Sequence, residues 1–312
     1  MSTAPDLLHQ QKTPPRWQAD SALALVALVW GSTFVIVKSA LPEISTVYFL
    51  ALRFSAASVC MALLFIGPFR AAGFGAVKRG LRGGAVAGLF LWTGYVLQTF
   101  GLKYTAASKS GFITGLYIVL VPIITAVVYK KRPQVPELLG IIAATAGLTL
   151  LTLPATGFHI NFGDVLTLLC AVAFAFHLLL LGYYSQRERF EAVALGQILC
   201  AATLSLLALP VEPPKAVWSG NVLFALAVTS VFATALAFAI QTWGQQYTTA
   251  TRTALIFALE PVFASLTAVF FGGEHFTERG ISGAALILGG ILLVELKPLR
   301  PGGHQKDIRP AL

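Results

Sequence analysis

The sequence predicts an all-α, polytopic membrane protein with ten transmembrane helices arranged as two inverted five-helix repeats. Three observations predict it: an unusually apolar composition, ten apolar stretches divided by short basic connectors, and a match of the chain to itself at a nearly constant offset. The 312 residues are 56% hydrophobic and 11% charged, with a mean hydropathy of +0.77, where soluble domains average about 45–50% apolar and about 25% charged. Water is excluded as the main solvent of such a chain.

A hydrocarbon core about 30 Å thick is crossed by about 20 residues of helix. Stretches of that kind occur at 20–38, 46–66, 83–102, 109–129, 137–153, 163–182, 192–209, 221–242, 252–271 and 280–296, here numbered spans 1 to 10. The fifth is the shortest, close to the lower limit of about 17 residues. The apolar run beginning at Ser21 has no small-residue cleavage site and is expected to be a retained first span.

An even number of spans brings both termini to one side of the bilayer, and the charges choose the side. The tails and the even-numbered connectors, with the span ends that adjoin them, hold sixteen Lys and Arg, and the odd-numbered connectors with theirs hold five. By the positive-inside rule both termini are expected in the cytoplasm, with the chain in the cell membrane. The net charge of +9 and pI near 9.6 therefore reflect topology, and no nucleic-acid partner is expected.

The self-match sets the domain organisation. Gly101 to Leu153 aligns without a gap on Gly244 to Leu296, an offset of 143, with eleven identities that include the Tyr104-Thr105 pair, Gly140 and Gly147. Asp20 pairs with Asp164 at an offset of 144, which sets span 6 on span 1. Residues 20–153 and 163–297 are thus expected to be two five-span repeats, and an odd span number turns the second over in the membrane. Repeats of this kind place a substrate site at their interface near the midplane.

Glu260 stands near the centre of span 9, where an ionised carboxylate costs about 2.5–3.5 kcal/mol on insertion scales. It must be paired, protonated or facing water, as a coupling or substrate-binding group or as a structural hydrogen-bond donor. Pro261 beside it and Pro122 in span 4 each remove a backbone donor and are expected to bend their helices. By the offsets Glu260 corresponds to Tyr117, and His177 of span 6 corresponds to Thr33 of span 1. His177 could relay a proton, contact substrate or pack as a neutral side chain. Trp92, Tyr95 and Gln98, three apart, are expected on one face of span 3, Thr114 and Tyr117 on one face of span 4, and Gln241 on span 8. Such an aromatic and polar wall suits an amphipathic organic solute.

Other residues have blander readings. Arg53, about seven residues into span 2, is expected to extend to the membrane interface or to pair with a carboxylate. Trp243 and Tyr183 read as interface anchors. Gly80, Gly84 and Gly88, and Gly111 with Gly115, stand at the spacing of close helix packing. Cys60, Cys170 and Cys200 are single and unassociated with His, so they read as packing residues, and no metal or cofactor is expected.

WGSTFVIVKSAL in span 1, ALRF around Arg53, GLKYTAASKSGFITGLYIVLVPII in the first half and ALEPVFASLTAVFFGGEHFT in the second together resemble the EamA family of the drug/metabolite transporter superfamily, over about residues 20–297. The first half departs locally, with KKRP at 130–133 where the second keeps GGEHFT at 272–277. The resemblance implies a ten-helix secondary transporter, mostly an exporter of amino acids, metabolites or drugs, with a cavity lined by spans 1, 3, 4, 6, 8 and 9. No GxxxxGK[ST] phosphate loop is present, so energy is expected from an ion or substrate gradient, with protons first because Glu260 and His177 titrate within the spans. The alternatives are an intramembrane enzyme, which lacks HExxH and GxSxG motifs here, and a channel-like facilitator, which lacks a charged ring or carbonyl filter sequence. The expected partners are the lipid bilayer, a small-molecule substrate and protons; no oligomeric state is readable.

Overall fold

The computed structural model describes residues 15–105, 107–128, 130, 133–152, 160–272, 275 and 277–295. The tail segments 1–14 and 296–312, and parts of KKRP (130–133) and GGEHFT (272–277), lie outside the described residues. Within them the protein is all-helical, with a single isolated antiparallel bridge between Ile44 and Ala216. The helices are α1 (Arg16–Ala40), α2 (Thr46–Leu64), α3 (Ile66–Ala71), α4 (Phe74–Gly101), α5 (Ala107–Gly115), α6 (Tyr117–Val128), α7 (Val135–Thr152), α8 (Phe162–Ser185), α9 (Phe190–Leu207), α10 (Gly220–Ser230), α11 (Ala237–Gly244), α12 (Ala250–Phe257), α13 (Leu259–Gly272) and α14 (Glu278–Glu295). A π-helical stretch, Val231–Leu236, joins α10 to α11.

Among the described residues, seven helical segments are long and apolar enough to cross a membrane: α1, α2, Lys109–Val128 through α5 and α6, α7, α8, Phe190–Val211 and Gly220–Gly244. The stretches expected at 83–102, 252–271 and 280–296 are helical in α4, in α12 with α13, and in α14, but they fall outside that set. The apolar run of α4 is diluted by Thr93, Tyr95, Gln98 and Thr99, α12 and α13 are separate helices of 8 and 14 residues, and α14 carries Glu278, Arg279 and Glu295 at its ends.

Local chemistry fixes where helices begin and break. Asn161 and Asp164 cap α8 reciprocally, each side chain accepting from the other residue's backbone N–H, and Ser219 and Thr249 cap α10 and α12. The two proline-bearing spans are each interrupted at one residue, Leu116 between α5 and α6 and Ala258 between α12 and α13, with Pro122 itself inside α6. Pro261 cannot donate to the Phe257 carbonyl, and the helix ends at Phe257 and restarts with Pro261 in its first turn, where no donor is needed.

Packing is by small residues. Cβ atoms at Gly80, Gly84 and Gly88 of α4 would strike α9, and α7 and α14 cross antiparallel with Gly140 against Gly290 and Gly147 against Gly283. A Cβ at Gly31 of α1 would fall on the Glu260 carbonyl oxygen and, at 2.9 Å, on the Ala264 nitrogen of α13. A Cβ at Gly111 would meet no described residue within 4 Å, whereas one at Gly115 would strike Leu148 of α7. Large apolar side chains such as Leu25, Val59, Leu63, Leu168 and Phe224 face outward, while Thr46, Gln197, Thr234 and Thr242 are buried. That distribution inverts the one water selects and fits a lipid surround.

Polar contacts gather at two ends. At one end the connectors after α1, α4 and α9 and the start of α8 meet: Ser45 N–H donates to the Lys215 carbonyl at 2.8 Å, Lys103 pairs with Glu212 at 2.7 Å, and Lys109 pairs with Asp164 at 2.5 Å. Burial pushes the Glu212 carboxyl up, but the Lys103 ammonium and the Val47 N–H outweigh it and hold the group below the usual range. At the other end Arg79 pairs with Glu188, Arg252 pairs with Asp20 at 3.3 Å, and Gln186 Nε2 donates to the Gln245 and Thr248 carbonyls.

Candidate functional site

Between the two polar ends lies a cavity lined by Trp30, Thr33 and Val37 of α1, Arg53 of α2, Tyr95, Gln98 and Thr99 of α4, Thr114 of α5, Tyr117 of α6, Phe174 and His177 of α8, Phe238 and Gln241 of α11, Phe257 of α12 and Glu260 of α13, among others. Eight of the nine site residues expected from sequence line it: Thr33, Tyr95, Gln98, Thr114, Tyr117, His177, Gln241 and Glu260. The helix breaks matter here. Thr114 and Tyr117 flank the break at Leu116, and Phe257 and Glu260 flank the break at Ala258, so both discontinuities open onto the cavity.

Trp92 is the exception. Its indole Nε1 donates to Ser205 Oγ of α9 at 3.1 Å, and it is absent from the cavity wall. Helical residues advance by about 100° each, so three-residue steps drift, and Trp92 stands about 120° round α4 from Gln98. Arg53 corrects a second expectation. Rather than extending to the interface it is 5% exposed and turns inward: Nε donates to Thr234 Oγ1 at 2.7 Å, Nη2 donates to Tyr95 OH and the Ala233 carbonyl at 3.3 Å each, and its guanidinium lies 4.9 Å from the Tyr95 ring centre. All these partners are neutral. The Ala233 carbonyl belongs to the π-helical stretch and also accepts from Trp30 Nε1 at 2.9 Å. A π turn takes carbonyls off the regular ladder, which leaves them for side chains of neighbouring helices.

The remaining polar groups are held as follows. Gln98 Nε2 donates to Thr114 Oγ1 at 3.2 Å, and the His177 ring Nε2 lies 2.8 Å from Gln197 Oε1, whose amide donates to Thr242 Oγ1 at 3.0 Å. Gln241 is buried, and its Oε1 has no hydrogen-bond partner among the described residues. Among the described residues the Glu260 carboxyl has no hydrogen-bond or ion-pair partner, and it lines the cavity. Trp30 packs edge-on to Phe257 at 5.0 Å and tilted to Phe238 at 5.3 Å, and Tyr95 packs edge-on to Phe174 at 5.6 Å.

The aromatic members that sequence reasoning missed could have been found from the offsets. Trp30 corresponds to Phe174 and Thr33 to His177 at 144; Tyr95 corresponds to Phe238, Gln98 to Gln241, Thr114 to Phe257 and Tyr117 to Glu260 at 143. Both members of all six pairs line the cavity. The 143-residue match also extends upstream, with QTFG at 98–101 on QTWG at 241–244. Arg53 corresponds to Gln197 at 144, and Gln197 acts one step behind the wall through His177.

The model of the EamA-like transporter family matches residues 17–153 and 161–296. The chain is 36% identical over 284 residues to an uncharacterized transporter of Archaeoglobus fulgidus, covering 90% of this chain and 87% of that one. It is 24% identical to a WAT1-related chloroplastic protein of Arabidopsis thaliana, covering 85% of this chain and 66% of that one. A solved crystal structure superposes with a TM-score of 0.73 at 20% identity, over 90% of this chain and 98% of that one, which speaks to the fold.

Proposed function

Because the chain belongs to the EamA-like transporter family, we propose that it is a secondary transporter that binds a small organic solute in the cavity around Glu260 and exports it by alternating access. That it is an integral membrane protein and a membrane transporter follows from the family and from the seven apolar helices. The finer reading is that residues 20–153 and 163–297 form two inverted repeats of five spans each, with both termini cytoplasmic. The antiparallel α7–α14 crossing of corresponding glycines supports it, since a two-fold axis in the membrane plane pairs Gly140 with Gly290 and Gly147 with Gly283.

The observation that carries the functional reading is the cavity itself, walled by six corresponding pairs from the two halves, with one carboxyl that the described protein leaves unpartnered. Aromatic faces from Trp30, Phe174, Phe238 and Phe257 suit the apolar body of a solute, and Arg53, Gln98, Gln241 and Glu260 offer polar contacts to its head. Glu260 is the coupling group in this scheme. A carboxyl in a cavity that opens to each side in turn exchanges its proton with each side, which links transport to a proton gradient.

The test is counterflow. Purified protein in liposomes, loaded with a solute chosen from a thermal-shift screen of metabolites, is expected to accumulate labelled solute transiently and saturably. Linear, non-saturating flux would overturn the carrier in favour of a channel. For topology, an impermeant thiol reagent is expected to reach Val217→Cys, but not Phe74→Cys, from outside intact cells, both positions being exposed.

A further inference from the structure

The two polar ends carry one design, used once each. Asp20 near the start of α1 and Asp164 at the start of α8 correspond at the offset of 144, and Lys109 of α5 and Arg252 of α12 correspond at 143. Arg252 Nη2 lies 3.3 Å from Asp20 Oδ2, and Lys109 Nζ lies 2.5 Å from Asp164 Oδ2. The acid and base of each pair therefore come from different halves, and the two pairs exchange under the correspondence that relates the walls of the cavity.

Their distance from the cavity is also matched. Asp20 precedes Trp30 by ten residues, as Asp164 precedes Phe174, which sets each pair about 15 Å along its helix from the cavity wall. Lys109 precedes Thr114 by five residues, as Arg252 precedes Phe257. The helices bearing the acids run oppositely: the end of α1 shares an end of the molecule with the start of α8, as the contacts of Ser45, Lys103 and Lys109 show. One pair thus closes each end.

We propose that Lys109–Asp164 and Arg252–Asp20 are the two gates of the transport cycle, broken alternately as α5 parts from α8 at one end and α12 from α1 at the other. The proposal rests on the alternating-access reading. A contact between elements that separate cannot survive at the end where they part, and both pairs are largely buried, with side-chain exposures of 13% and 3% for Lys109 and Asp164 and 12% each for Arg252 and Asp20. A buried ion pair is satisfied when closed and dry or when fully open and wet, but poorly between, where one charge is desolvated without its partner. Each gate is therefore two-state, as a rocking transporter requires.

The experiment reads access to the cavity from each side. In a background with Cys60, Cys170 and Cys200 replaced by Ala, Leu178→Cys places one thiol on the cavity wall, and its labelling by an impermeant maleimide is timed in right-side-out and inside-out vesicles. Lys109→Gln is expected to raise labelling from the extracytoplasmic face several-fold and lower it from the cytoplasmic face; Arg252→Gln is expected to do the reverse. Lys109→Arg and Arg252→Lys, which keep the charge, are expected to label like the parent. If Lys109→Gln does not reach the membrane, Asp164→Asn carries the same expectation, since its amide oxygen still accepts at the α8 cap. Rates that shift in the same direction in both Gln variants, or in neither, would overturn the gates. Counterflow separates the two readings: opposite shifts in a protein that exchanges no solute would sink transport and keep the gates, and counterflow with unshifted labelling would sink the gates alone.

Discussion

The two halves build the cavity from corresponding positions and fill them with different chemistry. Where the first half places Tyr95, Thr114 and Tyr117, the second places Phe238, Phe257 and Glu260. Gln98 finds its partner in Thr114, whereas Gln241 Oε1 has none among the described residues and the residue that corresponds to Thr114 is Phe257. The corresponding positions share the cavity while their side chains differ, so hydroxyls collect on one wall and the carboxyl on the other. In the proposed transport cycle the corresponding positions would serve the movement, and the differences between them would hold a solute in one orientation.

The largest effect is expected where the walls differ most. Glu260→Gln keeps the shape of the side chain but removes its proton exchange, so gradient-driven uptake into proteoliposomes is expected to fall to background while solute exchange persists. Tyr117→Ala, at the corresponding position, is expected to weaken transport without abolishing it or its pH dependence. Matching pH–rate curves for wild type and Glu260→Gln at equal protein amounts would remove the proton-coupling proposal.

A second asymmetry lies at the α1–α13 crossing. Gly31 admits no Cβ, yet the corresponding residue, Ala175, is a buried alanine. Gly31→Ala is therefore expected to destabilise by about 1–3 kcal/mol through overpacking, and Ala175→Gly by about 0.5–1 kcal/mol through helix propensity alone. Melting temperatures in one detergent decide: equal shifts would show that the crossing has room to spare. The smallest effect is expected at Trp92, whose hydrogen bond to Ser205 lies off the cavity. Trp92→Phe is expected to cost about 1 kcal/mol of stability and to leave the transport KM unchanged; a raised KM would return Trp92 to the wall.

Much of this was legible in the sequence because hydrophobic length, basic connectors and self-similarity each depend on residue type and order alone. The offset that joined Glu260 to Tyr117 and His177 to Thr33 anticipated two of the six wall pairs. Arg53 and Trp92 were misplaced for one shared reason: depth along a helix is set by sequence position, but the direction a side chain takes round it depends on which neighbours pack there. No pattern in ALRF distinguishes an arginine reaching for the interface from one turned toward Tyr95 and Thr234. Nor does VFATAL advertise a π-helical stretch, since nothing in its propensities separates it from the α-helix on either side.

That stretch has a rotational consequence. Val231–Leu236 under-winds the helix by about one residue's share of a turn, about 100°, so the azimuth of α11 differs from that of an unbroken continuation of α10. Were these residues to take α geometry, Phe238 and Gln241 would swing off the cavity wall, and the Ala233 carbonyl would turn with them, away from Trp30 and Arg53, whose N–H groups it now accepts. The facing of that wall is thus tied to a backbone oxygen shared by side chains of two other helices.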